Sequence, residues 1–147
     1  MLIAALIAGL HYLGIMTLAA TLLLEMVTLR GQITRDAIER LARTDLMYGM
    51  AAILVLATGL LRLTEAYGRG PAFYMQNGVF HLKVTLFVLV GILSIAPTMR
   101  FLRWRRAVLK DNTLPDAAAV AGTRKLVMAE LHILFLIPFL AALMVRI

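Results

Sequence analysis

Three histidines, His11, His81 and His132, fall inside apolar stretches of this chain, and Glu25, Lys83 and Glu130 share those surroundings. A titratable side chain in hydrocarbon is costly, so each marks a candidate functional site. An imidazole there can ligate a metal, move a proton, or hydrogen-bond one helix to another. A lysine can snorkel to the interface or balance a buried carboxylate. The chain has no cysteine. Disulfides, zinc–thiolate sites, iron–sulfur clusters and covalent c-type haem are therefore excluded. No Gly-rich phosphate loop, HExxH or Ser/His/Asp pattern occurs, so nucleotide and hydrolase chemistry have no support.

The elements that hold these residues follow from composition. The 147 residues are 62% hydrophobic and 16% charged, and the mean hydropathy is +0.89. A single domain of this size cannot hide so much apolar surface in one core, so its exterior must face lipid. Four stretches are long and apolar enough to span a bilayer: about Leu2–Leu29, Leu46–Leu63, Val79–Leu102 and 124–146. They must be helices, because lone strands leave backbone groups unpaired in lipid. The expected fold is all-α, an integral membrane four-helix up-down bundle forming one transmembrane domain over residues 1–147. The first stretch lacks a basic start and continues past the length of a signal peptide's apolar region, so it reads as a retained helix. Thr34-Arg35-Asp36-Ala37, with Ile38 and Leu41, suggests a short amphipathic helix leading into the second span. After the third span, Asp111 to Asp116 reads as a turn, and Ala117–Ala119 can open the fourth helix early.

Charge sets the expected orientation. The net charge is +7, and eleven of the 15 lysines and arginines lie in the first and third loops. The positive-inside rule places those loops in the cytoplasm and both termini in the periplasm of a bacterial inner membrane. Basic residues that flank spans in this way argue for topology and against nucleic acid as a partner. The second loop carries Gly68, Gly70, Pro71 and Gly78 among Tyr67, Phe73 and Tyr74, a helix-breaking, interfacial composition. Trp104 reads as an interfacial anchor, and Pro97 and Pro138 as kink positions.

Ala4, Ala8, His11, Ile15, Leu18, Leu22 and Glu25 alternate spacings of four and three, the seam of a left-handed bundle. His11 and Glu25 share that face, about 21 Å apart along the axis. Glu25 sits near the end of its helix, where Arg30 or Arg43 can pair with it. His81 lies in the same outer half of the membrane as His11, at a depth differing by about 7 Å. Spans one and three are diagonal in a simple up-down bundle. Two imidazoles from facing helices suit axial ligation of a haem iron, or else serve as helix glue. Glu130 and His132 are about 200° apart around the fourth helix, so they cannot both face one axis. One of them is expected at a contact with a second copy or another membrane subunit. Met16 and Met50 are packing residues or soft metal ligands.

Several short motifs carry a resemblance. Val79-Phe80-His81-Leu82-Lys83-Val84 resembles the F-H-x-K segment of HemJ-type protoporphyrinogen oxidases, four-helix bacterial membrane proteins that bind haem b. Leu10-His11-Tyr12 is similar to the Leu-His-Ile of their first helix. Gly59-Leu60 stands in similar order before the second loop, Arg103-Trp104 follows the third span, and Ala129-Glu130-Leu131 matches the position of their Asn-Glu-Ile. The chain also resembles an uncharacterised bacterial family of small four-helix membrane proteins related to these oxidases and to copper-resistance D proteins. The resemblance implies haem b binding for membrane redox and electron transfer, with porphyrinogen oxidation as the oxidoreductase activity. His11 and His81 would be the cofactor ligands, Lys83 would serve propionate or substrate charge, and Glu130 proton transfer. Glu25 and His132 would serve helix pairing or a subunit interface. The alternatives are a structural or assembly subunit of a larger membrane complex without a cofactor, and copper handling.

Overall fold

A computed structural model describes all 147 residues. It contains α1 (Leu2–Arg30), α2 (Arg35–Leu61), the short α3 (Pro71–Met75), α4 (Gly78–Asp111) and α5 (Ala117–Met144), and no strand. The four long helices are each apolar and long enough to cross a membrane. The fold is the all-α membrane bundle that composition demands.

Local chemistry sets the boundaries. Thr34 caps α2 by accepting the Ala37 amide at 3.2 Å. Asn77 caps α4 through the Val79 and Phe80 amides, and Asp116 caps α5 through the Ala119 amide at 2.7 Å. Each cap satisfies a donor that has no partner inside the helix. The amphipathic lead-in and the second span form one unbroken helix of 27 residues. The third span likewise continues past Leu102, because Arg103 to Lys110 contains no helix breaker. It stops where Asn112 adopts a left-handed conformation at φ 50°. Its 34 residues extend about 51 Å at 1.5 Å per residue. The hydrocarbon core is only about 30 Å thick, so the basic end of α4 projects well beyond it. In the second loop, Pro71 starts α3 at the position where a missing N–H costs nothing, after Gly70 turns the chain at φ 83°.

The helices pack in a square. α1 lies against α2 and α5, and α4 lies against α2 and α5, while the backbones of α1 and α4, and of α2 and α5, stay apart across the diagonals. Spans one and three are thus diagonal. The predicted α1 seam faces inward along its length: Leu18, Leu22 and Glu25 are buried, while Ala4, Ala8, His11 and Ile15 are half-buried. At Gly14 a Cβ would stand 2.7 Å from Val55 Cγ2, so the missing side chain lets α1 and α2 approach. A continuous core of aliphatic side chains runs along the axis with Phe101 and Trp104 at one end. Within the apolar windows only 11–28% of residues are buried, so most apolar side chains point outward, as lipid solvation requires. Trp104 is buried against its neighbours, with its ring edge-on to Phe101 at 5.7 Å, because α4 continues as packed helix there.

At the opposite end, Tyr74, Phe80 and Met144 form a small second cluster. The Asn77 side chain donates to the Met144 carbonyl at 3.1 Å, tying the second loop to the end of α5.

Candidate functional site

The bundle carries two polar sites, one toward each end. The end bearing the first and third loops is termed the basic end.

At the far end, His11 is half-buried on α1 and bonds through Nδ1 to Thr58 Oγ1 on α2 at 2.9 Å. Thr58 also lies 2.6 Å from the Leu54 carbonyl. A carbonyl only accepts, so the hydroxyl proton goes there and Thr58 oxygen accepts from His11 Nδ1–H. The tautomer is thereby set, and Nε2 carries a bare lone pair. Gly59 makes room for the ring: a Cβ there would meet His11 Cε1 at 3.3 Å. One turn beyond Thr58, the Arg62 guanidinium stands over the Tyr12 ring at 5.4 Å. Lys83, on the diagonal helix α4, is half-buried with Nζ 5.5 Å from the Phe80 ring centre. Arg62 and Lys83 are near enough for both charges to act on His11. Neither meets a carboxylate, since the two ion pairs of the chain join Glu39 to Arg35 and Arg43.

His81 does not join this group. It is exposed, and its Nε2–H donates to the Met75 carbonyl at 2.9 Å. That carbonyl ends α3 and has no partner within the helix, which gives the ring a local structural task. Nε2 is therefore engaged and Nδ1 keeps the lone pair, so each of the two rings retains one free nitrogen. The His11 ring lies near two cations without carboxylate partners, and the residues present fit a haem there.

Toward the basic end, four helices send polar groups to the axis. Glu25 from α1 is 2% exposed and Glu130 from α5 is 1% exposed, and each has an Oε1 without a hydrogen-bond partner. Asp45 from α2 is buried and accepts from the Thr98 hydroxyl of α4 at 2.8 Å. Tyr48, one turn along α2, lies beside Glu130 and Ser94. Because α2 and α5 are diagonal, Tyr48 and Glu130 meet on the bundle axis. Glu25 was expected to pair with Arg30 or Arg43. It turns inward instead, while Arg30 is exposed and Arg43 is taken by Glu39. The sequence reading missed Asp45, Tyr48 and Thr98. Asp45 closes the charged stretch after Arg40 and Arg43, just before the apolar run that begins at Leu46, so hydropathy alone sets it outside the span although α2 is continuous through it. Arg35, Asp36 and Ile38, with their helical pattern, were the signal for that continuity.

His132 lies on the outer face of α5. Its Nδ1–H donates to the Met128 carbonyl of its own helix at 2.6 Å. Glu130 thus faces in and His132 faces out, as their spacing requires. Met16 and Met50 are also exposed, on different helices, and no cluster of three or more His, Cys, Asp or Glu forms a metal centre. An apolar cleft of about 160 Å³ between α2 and α4 reaches Tyr48 and Ser94. Its lining includes none of the three carboxyls and not His11.

Comparison with known proteins agrees with the fold. Residues 3–146 match the family DUF2214, described as a predicted membrane protein, and the chain belongs to that family. No curated protein and no solved structure matches the chain.

Proposed function

We propose that this is a multi-pass protein of the bacterial inner membrane that binds haem b through His11 for membrane redox chemistry. The observation that carries the proposal is the His11 ring: Nδ1–H is engaged by Thr58, and Nε2 keeps its lone pair beside two cations that lack carboxylate partners. A metal-ligating histidine typically has its second nitrogen held in this way, which orients the ring and fixes its tautomer. Arg62 and Lys83 supply the charge that the two propionates of haem b would neutralise. Bound there, haem b would supply one-electron transfer. The protein's own contribution is ligation by His11, orientation by Thr58 and Gly59, and charge balance by Arg62 and Lys83. His81 positions the second loop by holding Met75. In the same proposal the basic end faces the cytoplasm and both termini face the periplasm, supported by the placement of the lysines and arginines. Porphyrinogen oxidation is the activity that the HemJ resemblance suggests for such a site.

An optical spectrum of the purified protein, oxidised and then dithionite-reduced, tests the proposal. The expected result is a Soret band with α and β bands on reduction, lost in His11→Ala and retained in His81→Ala. A preparation without a Soret band, made under haem-replete expression, would overturn it.

A second reading is a structural or assembly subunit of a larger membrane complex. The observation that favours it is His132, a polar ring on the outer face of a membrane helix.

A further inference from the structure

We propose that Glu25, Asp45 and Glu130 form a proton-exchange site on the bundle axis, filled and emptied through the basic end. The site is built from three helices and closed by the fourth. α1 contributes Glu25, α2 contributes Asp45 and Tyr48, α5 contributes Glu130, and α4 faces them with Ser94 and the Thr98 hydroxyl that donates to Asp45. Two of the three carboxyls are almost wholly buried, and each leaves an oxygen with no partner. No cation opposes them. Arg100, the nearest basic residue on α4, donates to Thr123 at 3.0 Å, two turns before Glu130 and toward the basic end.

Three negative charges cannot be held together in hydrocarbon without a cation, so the site must carry protons to exist in this packing. A structural role does not require this arrangement. Helix glue needs a donor for each acceptor, and here Oε1 of Glu25 and Oε1 of Glu130 have none. Exchange with solvent is short-ranged. Glu25 lies five residues before Arg30, the end of α1, or about 7.5 Å along the helix. In the exchange, a carboxylic O–H bond breaks and its proton passes to a water at the basic end. The reverse step restores the acid, and no electron moves. Groups of Asp, Glu and His inside membrane helices serve as proton relays in pumps and transporters.

Infrared difference spectroscopy tests the site on the full chain reconstituted in phosphatidylcholine vesicles, without added haem. Acidic and alkaline buffers are compared in H₂O and in D₂O. The expected result is a protonated-acid C=O band that disappears in alkali and shifts downward in D₂O. Glu25→Gln and Glu130→Gln should each remove part of it, and Glu39→Gln, at an exposed ion pair, should remove none. Three results would overturn the proposal: no acid band that responds to pH in the unmodified protein, a band unchanged in both glutamine variants, or a band abolished at fixed acidic pH by sodium alone. The last would identify a cation site instead. The measurements on the unmodified protein stand even where a variant fails to fold.

Discussion

A histidine ring inside a bilayer is defined by where its two nitrogens go. His132 and His81 each spend one N–H on a backbone carbonyl, Met128 and Met75 respectively. His11 spends its N–H on the hydroxyl of a neighbouring helix. Removing that acceptor in Thr58→Val should free the tautomer of His11, read as a change in the ¹⁵N shifts of its ring. The loss of stability should be small, about 0.6 kcal/mol, the average for an interhelical side-chain bond in a membrane protein. A ring whose ¹⁵N shifts did not respond would mean that Thr58 does not set the tautomer. At the carboxyl site, Thr98→Val withdraws the donor from Asp45 and leaves a buried acceptor unsatisfied. The expected cost is larger, about 1–3 kcal/mol, measured by unfolding in mixed micelles.

At the scale of elements, the pairing of α1 with α2 depends on glycine. Gly14→Val would drive a Cβ into Val55, whose Cγ2 stands 2.7 Å from that position. Parting the helices should destabilise the bundle by about 1–3 kcal/mol, the usual cost of overpacking. Gly91→Ala offers the contrast, since nothing lies within 4 Å of its added Cβ. Alanine there should be neutral or stabilising by up to about 1 kcal/mol from helix propensity. Unfolding of both variants in the same detergent mixture checks the pair, and equal destabilisation would refute the close-approach account. The four long helices were legible because apolar length is a strong signal. The helical lead-in to α2 was legible too, in Thr34-Arg35-Asp36-Ala37 with Ile38 and Leu41, but the continuity of α4 across Arg103–Asp111 was not. Charged residues there resemble loop when hydropathy alone is read, yet arginine, lysine and glutamate are good helix formers.

At the scale of the whole molecule, the outer face of α5 is the expected contact with a second copy or another subunit. His132 shares that face with Phe135, Leu136 and Phe139, all exposed. A cysteine at Phe135 or Leu136, in a chain that otherwise has none, should crosslink to a second copy or another subunit in native membranes. A chain that stays uncrosslinked from both exposed positions would leave His132 as a ring satisfied by its own helix. Reporter fusions at the C-terminus should give periplasmic activity, and cytoplasmic activity there would reverse the orientation.

Composition, apolar run length and the alternating four-and-three stripe of α1 by themselves determined that this chain is a four-helix membrane bundle with polar residues on an inward seam. Those properties depend on solvent and on helical periodicity, both written locally along the chain. The same periodicity placed Glu130 and His132 on opposite faces of α5. Which polar residues meet was decided only by tertiary packing. His11 meets Thr58 because Gly59 admits the ring, and His81 turns to Met75 because α3 ends there with a free carbonyl. Glu25 joins Asp45 and Glu130 because the square packing brings one face of each helix to a common axis. No local rule states which rotation each helix adopts about its own axis. That rotation depends on side-chain fit against three other helices at once, and it converted a pair of candidate ligands into one histidine site and a separate carboxyl site.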